Sequence, residues 1–315
     1  MKTFKPSSHH GESFMSLPET YLKTQQVADA LGVSVSSIKR WVDAGVIEAT
    51  RTMGRHRLVL LSSALSFARR EKFPVEDLLS LAGSGPTAID EACDLLVDAL
   101  KRGRPGEASA LIASAHRAGG GAVALADRVI RPVMERVGHA WMVGAWDVYH
   151  EHQATQIVAS ALADLVARAR RPGNPTLPLA LASAPDGDPY TLVGLLGELV
   201  LREGGWDVRN LGGNLPLRSL AAATREYRPR LIFLSASFIA DREGFLRDYA
   251  YFYEAATQVD AAVILGGRAL DPDLRTRLVY ASFGDRMAHL AEFARRVLPP
   301  AGPPSLPASS MDNLD

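Results

Sequence analysis

Five short apolar runs alternate with amphipathic stretches over residues 177–298. The runs are 177–183, 206–211, 230–235, 261–265 and 280–283. Helical patterning fills Thr191–Glu203, Leu217–Tyr227, Gly244–Ala256 and Ala288–Leu298. Apolar runs this short, separated by helices, read as strands buried on both faces of a parallel sheet. The pattern predicts a doubly wound α/β domain over 177–298, with its ligand beyond the carboxyl ends of the strands. The loops there are 184–190, Gly212-Gly213-Asn214, Ser235-Ala236-Ser237 and Gly266-Gly267-Arg268. Small residues at three of these ends would admit a long, thin group. No G-x-G-x-x-G fingerprint is present, which argues against a nucleotide-binding Rossmann site.

Proline and glycine interrupt the helical pattern at Phe73-Pro74 and at Arg171-Pro172-Gly173-Asn174-Pro175. The segment between them, 76–170, reads as all-helical. Helices are expected at Ala88–Lys101, Gly106–Arg117, Ala122–Met142 and Asp147–Arg170, with Asp147 as an N-cap. Four helices with short loops predict an antiparallel bundle. If Gly144 breaks the chain, Trp141 closes one helix and Glu151-His152 opens the next. These side chains would then line one opening at the bundle's end. On the residues alone, Trp141 as plain core and Glu151 as a favourable charge at a helix N-terminus is an equal reading. His150 and His152 are two apart and diverge on a helix, so they cannot share one metal facially. Cys93, the only cysteine, lies in a helical pattern as a small core residue and allows no disulfide or Cys zinc site.

Residues 24–59 read as helix, glycine turn, helix and hairpin. Val27, Ala28, Ala30 and Leu31 have helical spacing, and Gly32 ends the helix. Ser34 caps a second helix, Val35 to Asp43, which is expected to bury Val35, Ile38 and Trp41 against the first. Ser36, Ser37, Lys39 and Arg40 form its polar face, suited to a major groove. Val46–Arg51 and Arg55–Val59 flank the turn Thr52-Met53-Gly54, with Arg51, Arg55 and Arg57 positioned for phosphates. Across 19–72, nine Lys/Arg (23, 39, 40, 51, 55, 57, 69, 70, 72) stand against five Asp/Glu (19, 29, 43, 48, 71). The whole chain of 315 residues is neutral, with 35 Lys/Arg and 35 Asp/Glu, so this excess is local.

No apolar run is long enough for a bilayer and no signal peptide is visible, so a soluble cytoplasmic protein with no membrane partner is expected. Residues 1–18 and 299–315 have the composition of disordered tails.

The head resembles the MerR-type winged helix-turn-helix. There a tryptophan or tyrosine ends the recognition helix, and a GGHRR- or GGYR-like turn forms the wing. Gly54-Arg55-His56-Arg57 stands in that place, with Arg55 where the second glycine is usual. Over residues 20–298, winged helix-turn-helix, four-helix bundle and flavodoxin-like sheet together resemble the CarH/LitR class of cobalamin-dependent MerR regulators. The resemblance implies that Trp141 and, after nine residues, Glu151-His152 cap the adenosyl group of adenosylcobalamin. It implies that Ser235, Ser237, Gly266 and Gly267 accommodate the nucleotide tail. It further implies a light sensor whose adenosyl form assembles a DNA-binding tetramer, taken apart by photolysis.

Two positions depart from that pattern. In the family, the G-(E/D)-x-H-x-x-G-like stretch after the first strand carries a histidine that ligates cobalt. Here it reads Gly187-Asp188-Pro189-Tyr190-Thr191-Leu192-Val193-Gly194, so Tyr190 takes the ligand position. A phenol must lose a proton near pH 10 to ligate strongly. The histidine that follows the capping tryptophan is Met142. Three readings follow for the cofactor: cobalamin held mostly by shape, with Tyr190 packed near the metal or weakly ligating it; haem or another tetrapyrrole, since haem iron accepts tyrosinate; or a cofactor-free module for oligomerisation or partner binding.

The expected partners are double-stranded DNA with repeated half-sites and a further copy of the chain. No sustained heptad pattern follows residue 72, so self-association would use the bundle or the α/β domain. A corrinoid carrier for methyl transfer is the competing enzyme class. No pair of groups is placed for acid–base or nucleophilic catalysis, and the DNA head argues against that class.

Overall fold

The computed structural model describes residues 21–51, 57–81, 86–118, 120–169 and 177–298. The tails, Gly54, Arg55 and His56, and the side chain of Arg51 lie outside the described residues. The chain divides into two compact units, residues 1–161 and 162–315.

The first unit opens with β1 (Tyr21–Lys23), α1 (Thr24–Ala30) and α2 (Val35–Asp43). Gly32 turns the chain between the helices with φ +65°, and Ser34 caps α2 by accepting the Ser37 amide at 3.2 Å. Strands β2 (Ala49–Arg51) and β3 (Arg57–Leu60) pair antiparallel, and β1 pairs with the other edge of β3. Three residues are too few for β1 to show a pattern in the sequence; pairing with β3 makes it a strand. Of the α2 residues expected against α1, only Ile38 is fully buried. Trp41 instead meets two rings from later in the chain, Phe67 at 4.6 Å and Phe73 at 5.9 Å between centroids. Phe67 belongs to α3 (Leu61–Arg70), which thereby braces α2 from behind.

Helix α4 (Glu76–Leu81) follows, and its Leu78 is fully buried. It packs on α1 of the head and on α6 (Pro105–Ala118). Between them in sequence lies α5 (Pro86–Lys101), whose Asp98 binds Arg69 of α3 at 2.8 Å. Head and helical region are therefore one packed unit, although their sequences read as separate modules.

The single helix expected over 122–142 is divided: α7 (Gly121–Leu125), a π turn (Ala126–Ile130) and α8 (Arg131–Met142). A π turn offsets the hydrogen-bond ladder and leaves carbonyls for other donors. The Cys93 thiol of α5 takes that role, donating to Arg128 O at 3.7 Å and Val129 O at 4.0 Å. Helix α9 (Val148–Ala169) completes the helical region, with Ala154 and Val158 fully buried.

The second unit contains β4 (Leu179–Ser183), α10 (Leu192–Glu203), β5 (Asp207–Asn210), α11 (Leu217–Tyr227), β6 (Leu231–Ser235) and α12 (Arg242–Gln258). It continues through β7 (Ala262–Gly266), the short α13 (Pro272–Thr276), β8 (Ser282–Gly284) and α14 (Met287–Val297). The sheet is wholly parallel, in the order β5-β4-β6-β7-β8. This is the flavodoxin-like order, and it reverses direction between β4 and β6. Alternation along β6 supplies both layers: Ile232 and Leu234 join the core with Phe245 and Phe252 of α12. Phe233 faces the other way, so close to α10 that a β-carbon at Gly197 would lie 2.4 Å from its ring.

Burial pushes the Cys93 thiol up from 9.0 to about 11. The neutral thiol is the donor the π turn uses. This contribution to stability therefore holds below pH 9 and is lost as pH rises from 9 towards 11. A disulfide reagent at pH 8 should label Cys93 at least about a hundredfold more slowly in the folded chain than in urea. Equal rates would refute the buried, protonated thiol.

Candidate functional site

On the reading helix, Ser36, Lys39 and Arg40 are exposed and Ser37 is half-buried. The Ser36 and Ser37 hydroxyls lie 2.7 and 3.0 Å from Ser34 Oγ, so the cap holds them at the helix start. Arg57 has a different place from a free cation. Its Nη2 donates to both carboxylate oxygens of Asp43, at 2.6 and 2.9 Å, tying β3 to the end of α2.

The α8–α9 turn carries exposed apolar side chains in quick succession. Trp141 is 50% exposed and Met142 73%, with Val143, Val148 and Tyr149 alongside. The core reading of Trp141 therefore fails. Trp146 is the buried ring that anchors this turn; its amide donates to Ala140 O at 3.0 Å. Glu151 is half-buried, accepts the Thr155 hydroxyl at 3.0 Å and lies 3.7 Å from His152 Nε2. His150 is spoken for: its Nδ1 accepts the Asp147 amide at 3.2 Å and its ring stacks on Tyr149 at 4.0 Å.

In the α/β unit the loops after β4, β5, β6 and β7 form a hydrogen-bonded collar at the carboxyl end of the sheet. Asp188 is its centre. The residue is 0% exposed, and one carboxylate oxygen accepts Ser237 N at 2.5 Å and Phe238 N at 3.2 Å. The other accepts Tyr190 N at 3.0 Å. The Asp188 carbonyl takes the Asn214 amide at 2.8 Å, and Asn214 Oδ1 takes Gly187 N at 2.7 Å. Asp188 was expected to touch a cofactor. It is a buried positioning residue that joins the loops on the two strands where sheet order reverses.

Tyr190 is 46% exposed, and Phe238 beside it is also exposed. Arg268, in the loop after β7, meets Tyr190. Its Nη2 lies 3.4 Å from the Tyr190 hydroxyl, its guanidinium is 5.5 Å from the ring centroid, and its Nε donates to Ser237 O at 3.4 Å. Only the fold could reveal this pairing, since 78 residues separate the two.

The glycines at this edge have internal reasons. A β-carbon at Gly267 (φ +103°) would lie 2.2 Å from Ala236 O, and one at Gly266 would lie 2.9 Å from Gly284 O. Gly194 is less constrained, its nearest neighbour being the Asn210 side chain at 3.5 Å. Ser235 Oγ is buried and has no hydrogen-bond partner among the described residues. Among the described residues no group of three His, Cys, Asp or Glu could hold a metal. None of their helices is long and apolar enough to cross a membrane.

Two family models match parts of the chain. One, described as "Helix-turn-helix domain", covers residues 21–71. The other, described as "B12 binding domain", covers 92–165, running from α5 into α9. No curated protein sequence matches. Among solved structures, the monomethylamine corrinoid protein of Methanosarcina barkeri aligns with 66% of this chain and 99% of its own, at 17% identity and a TM-score of 0.53. A cobalamin-binding protein from Desulfitobacterium hafniense DCB-2 aligns over 68% and 93%, at 16% identity and a TM-score of 0.35. The methanol:cobalamin methyltransferase complex MtaBC from Methanosarcina barkeri gives 66%, 80%, 16% and 0.34. The first of these likenesses shows the fold, a helical region followed by a parallel α/β domain.

Asp188→Ala would strand three backbone amides and should lower stability by about 3 kcal/mol or more, read as a fall in the urea midpoint. Gly267→Ala should cost about 2–4 kcal/mol in the same assay, because backbone must move to admit the methyl group. A midpoint unchanged in either variant would show that the collar is not built as described.

Proposed function

We propose that this chain is a sequence-specific, DNA-binding transcriptional regulator of the MerR type whose helical and α/β units sense a cobalamin. The observation that carries the reading is the joining of two modules in one chain. A helix-turn-helix with Ser36, Lys39 and Arg40 exposed precedes a B12-type helical region with an exposed Trp141 tip. Lys39 and Arg40 would meet base edges or phosphates, with Arg51 and Arg55 on the backbone and His56 beside them in the wing. Such contacts make affinity fall steeply with salt.

The chain's residues fit a corrinoid in part. Ser235 Oγ, buried and unpaired, sits at the strand end where a nucleotide tail would enter. On the helical unit, Trp141, Glu151 and His152 would meet an adenosyl group. The donors present do not match a histidine-ligated centre, since Tyr190 is a phenol already met by Arg268. A corrin would then be held mostly by shape, with Tyr190 giving no strong bond to its metal. Bound adenosylcobalamin would bring a cobalt–carbon bond that light can break. Control of oligomeric state by that event belongs to the proposal, as does the absence of an enzymatic role.

One observation favours a second reading. Gly266 and Gly267 are required by close internal packing, so they need no tail to explain them. On that reading the module has no cofactor and serves assembly or partner binding.

Absorbance spectra and size of the purified chain should be recorded with adenosylcobalamin and with haem, dark and lit. Stoichiometric cobalamin binding with a light-dependent change in size is expected. Binding of haem alone, or of neither, would reject the cobalamin reading. In a mobility-shift assay, Lys39→Ala with Arg40→Ala should weaken operator binding by tenfold or more at about 100 mM salt. Equal binding by the variant would remove α2 as the reading helix.

A further inference from the structure

Where α3 ends and α5 turns into α6, the first unit has a cleft of about 1020 Å³. One wall comes from the head, the other from the helical region. Arg69, Arg70 and Lys72 line it from the end of α3; Arg102 and Arg104 line it from the α5–α6 turn. The attraction of cations to the negative carboxyl ends of α3 and α5 accounts for Arg69, Arg70, Lys72 and Arg102, though not for Arg104 at the amino end of α6. It does not explain their convergence across a concave space.

The ion pairs leave a definite surplus. Arg70 is matched by Glu71 at 2.9 Å and Arg104 by Glu107 at 3.0 Å. Asp98 is shared: one oxygen takes Arg69 at 2.8 Å and the other takes Arg102 at 3.1 Å, so two guanidiniums have one carboxylate. Lys72 has no ion pair among the described residues. Among the described residues, two positive charges therefore remain uncompensated around the cleft. Phe73 and Val75 add an apolar strip, and Phe73 is held by stacking on Phe67 at 5.9 Å. The volume is at the upper end of that of small-molecule sites.

We propose that this cleft binds a small phosphate monoester with a planar apolar body, a dianion that matches the two free charges and lies against Phe73. Guanidiniums and an ammonium are the usual donors for such a group. The ligand touches the head through Lys72 and the helical region through Arg102, so its binding fastens one to the other. The site is separate from the proposed cobalamin module and does not depend on it.

The test is calorimetric titration of the full chain, at constant ionic strength, with AMP, adenosine and inorganic phosphate. AMP should bind one to one, phosphate more weakly and adenosine not measurably. Lys72→Gln, and separately Arg102→Gln with Arg104→Gln, should each weaken AMP about tenfold while duplex DNA affinity is kept. The proposal fails if AMP gives no saturable heat at millimolar concentration, if adenosine binds as well, or if both variants bind AMP like the parent. It fails equally if the variants lose duplex binding in parallel, which would assign the cleft to the DNA backbone.

Discussion

The carboxyl end of the sheet in the α/β unit depends on one buried carboxylate. Asp188 has no exposed surface and is satisfied by three backbone amides, two of them from the loop after β6. A charge in that position is tolerated only because amides replace the water it has lost. In return, the loops on β4 and β6 are held together at the place where the sheet reverses its order. Tyr190, Phe238 and Arg268 are displayed from this frame rather than from free loops.

A comparable dependence orders the first unit. Trp41 closes the reading helix, yet its ring packs on Phe67 and Phe73, beyond the hairpin. Leu78 of α4 and the Arg69–Asp98 pair carry the connection onward. The exposed pair contributes little by itself; the aromatic contacts and α4 make the head continuous with the helices behind it. A change in those helices thus has a packed path to the surface of α2.

Much of the architecture was legible because its signals are local. Leu217–Tyr227 is a helix over the very span its periodicity predicted, and the strands differ from the expected runs by a few residues at their ends. The three-residue β1 and the π turn at Ala126–Ile130 were not legible. Neither has a sequence period, and each exists because of a partner: β3 for the strand, the Cys93 thiol for the displaced carbonyls. The candidate site was legible as residue types but not as roles. Asp188 reads as a cofactor contact in a row of letters and as an internal staple in three dimensions. Arg268 could not be read at all, since its partner lies 78 residues away.

The sequence by itself determined the order of modules, the polar face of α2 and the parallel character of the sheet, because helix and strand periods and turn glycines act over a few residues. Tertiary structure alone decided that the head and the helical region are one unit. It also decided that Trp141 is exposed while Trp146 is buried, and that Tyr190 meets a guanidinium. Burial and charge pairing depend on which distant side chains arrive at the same place, and no local pattern encodes that arrival.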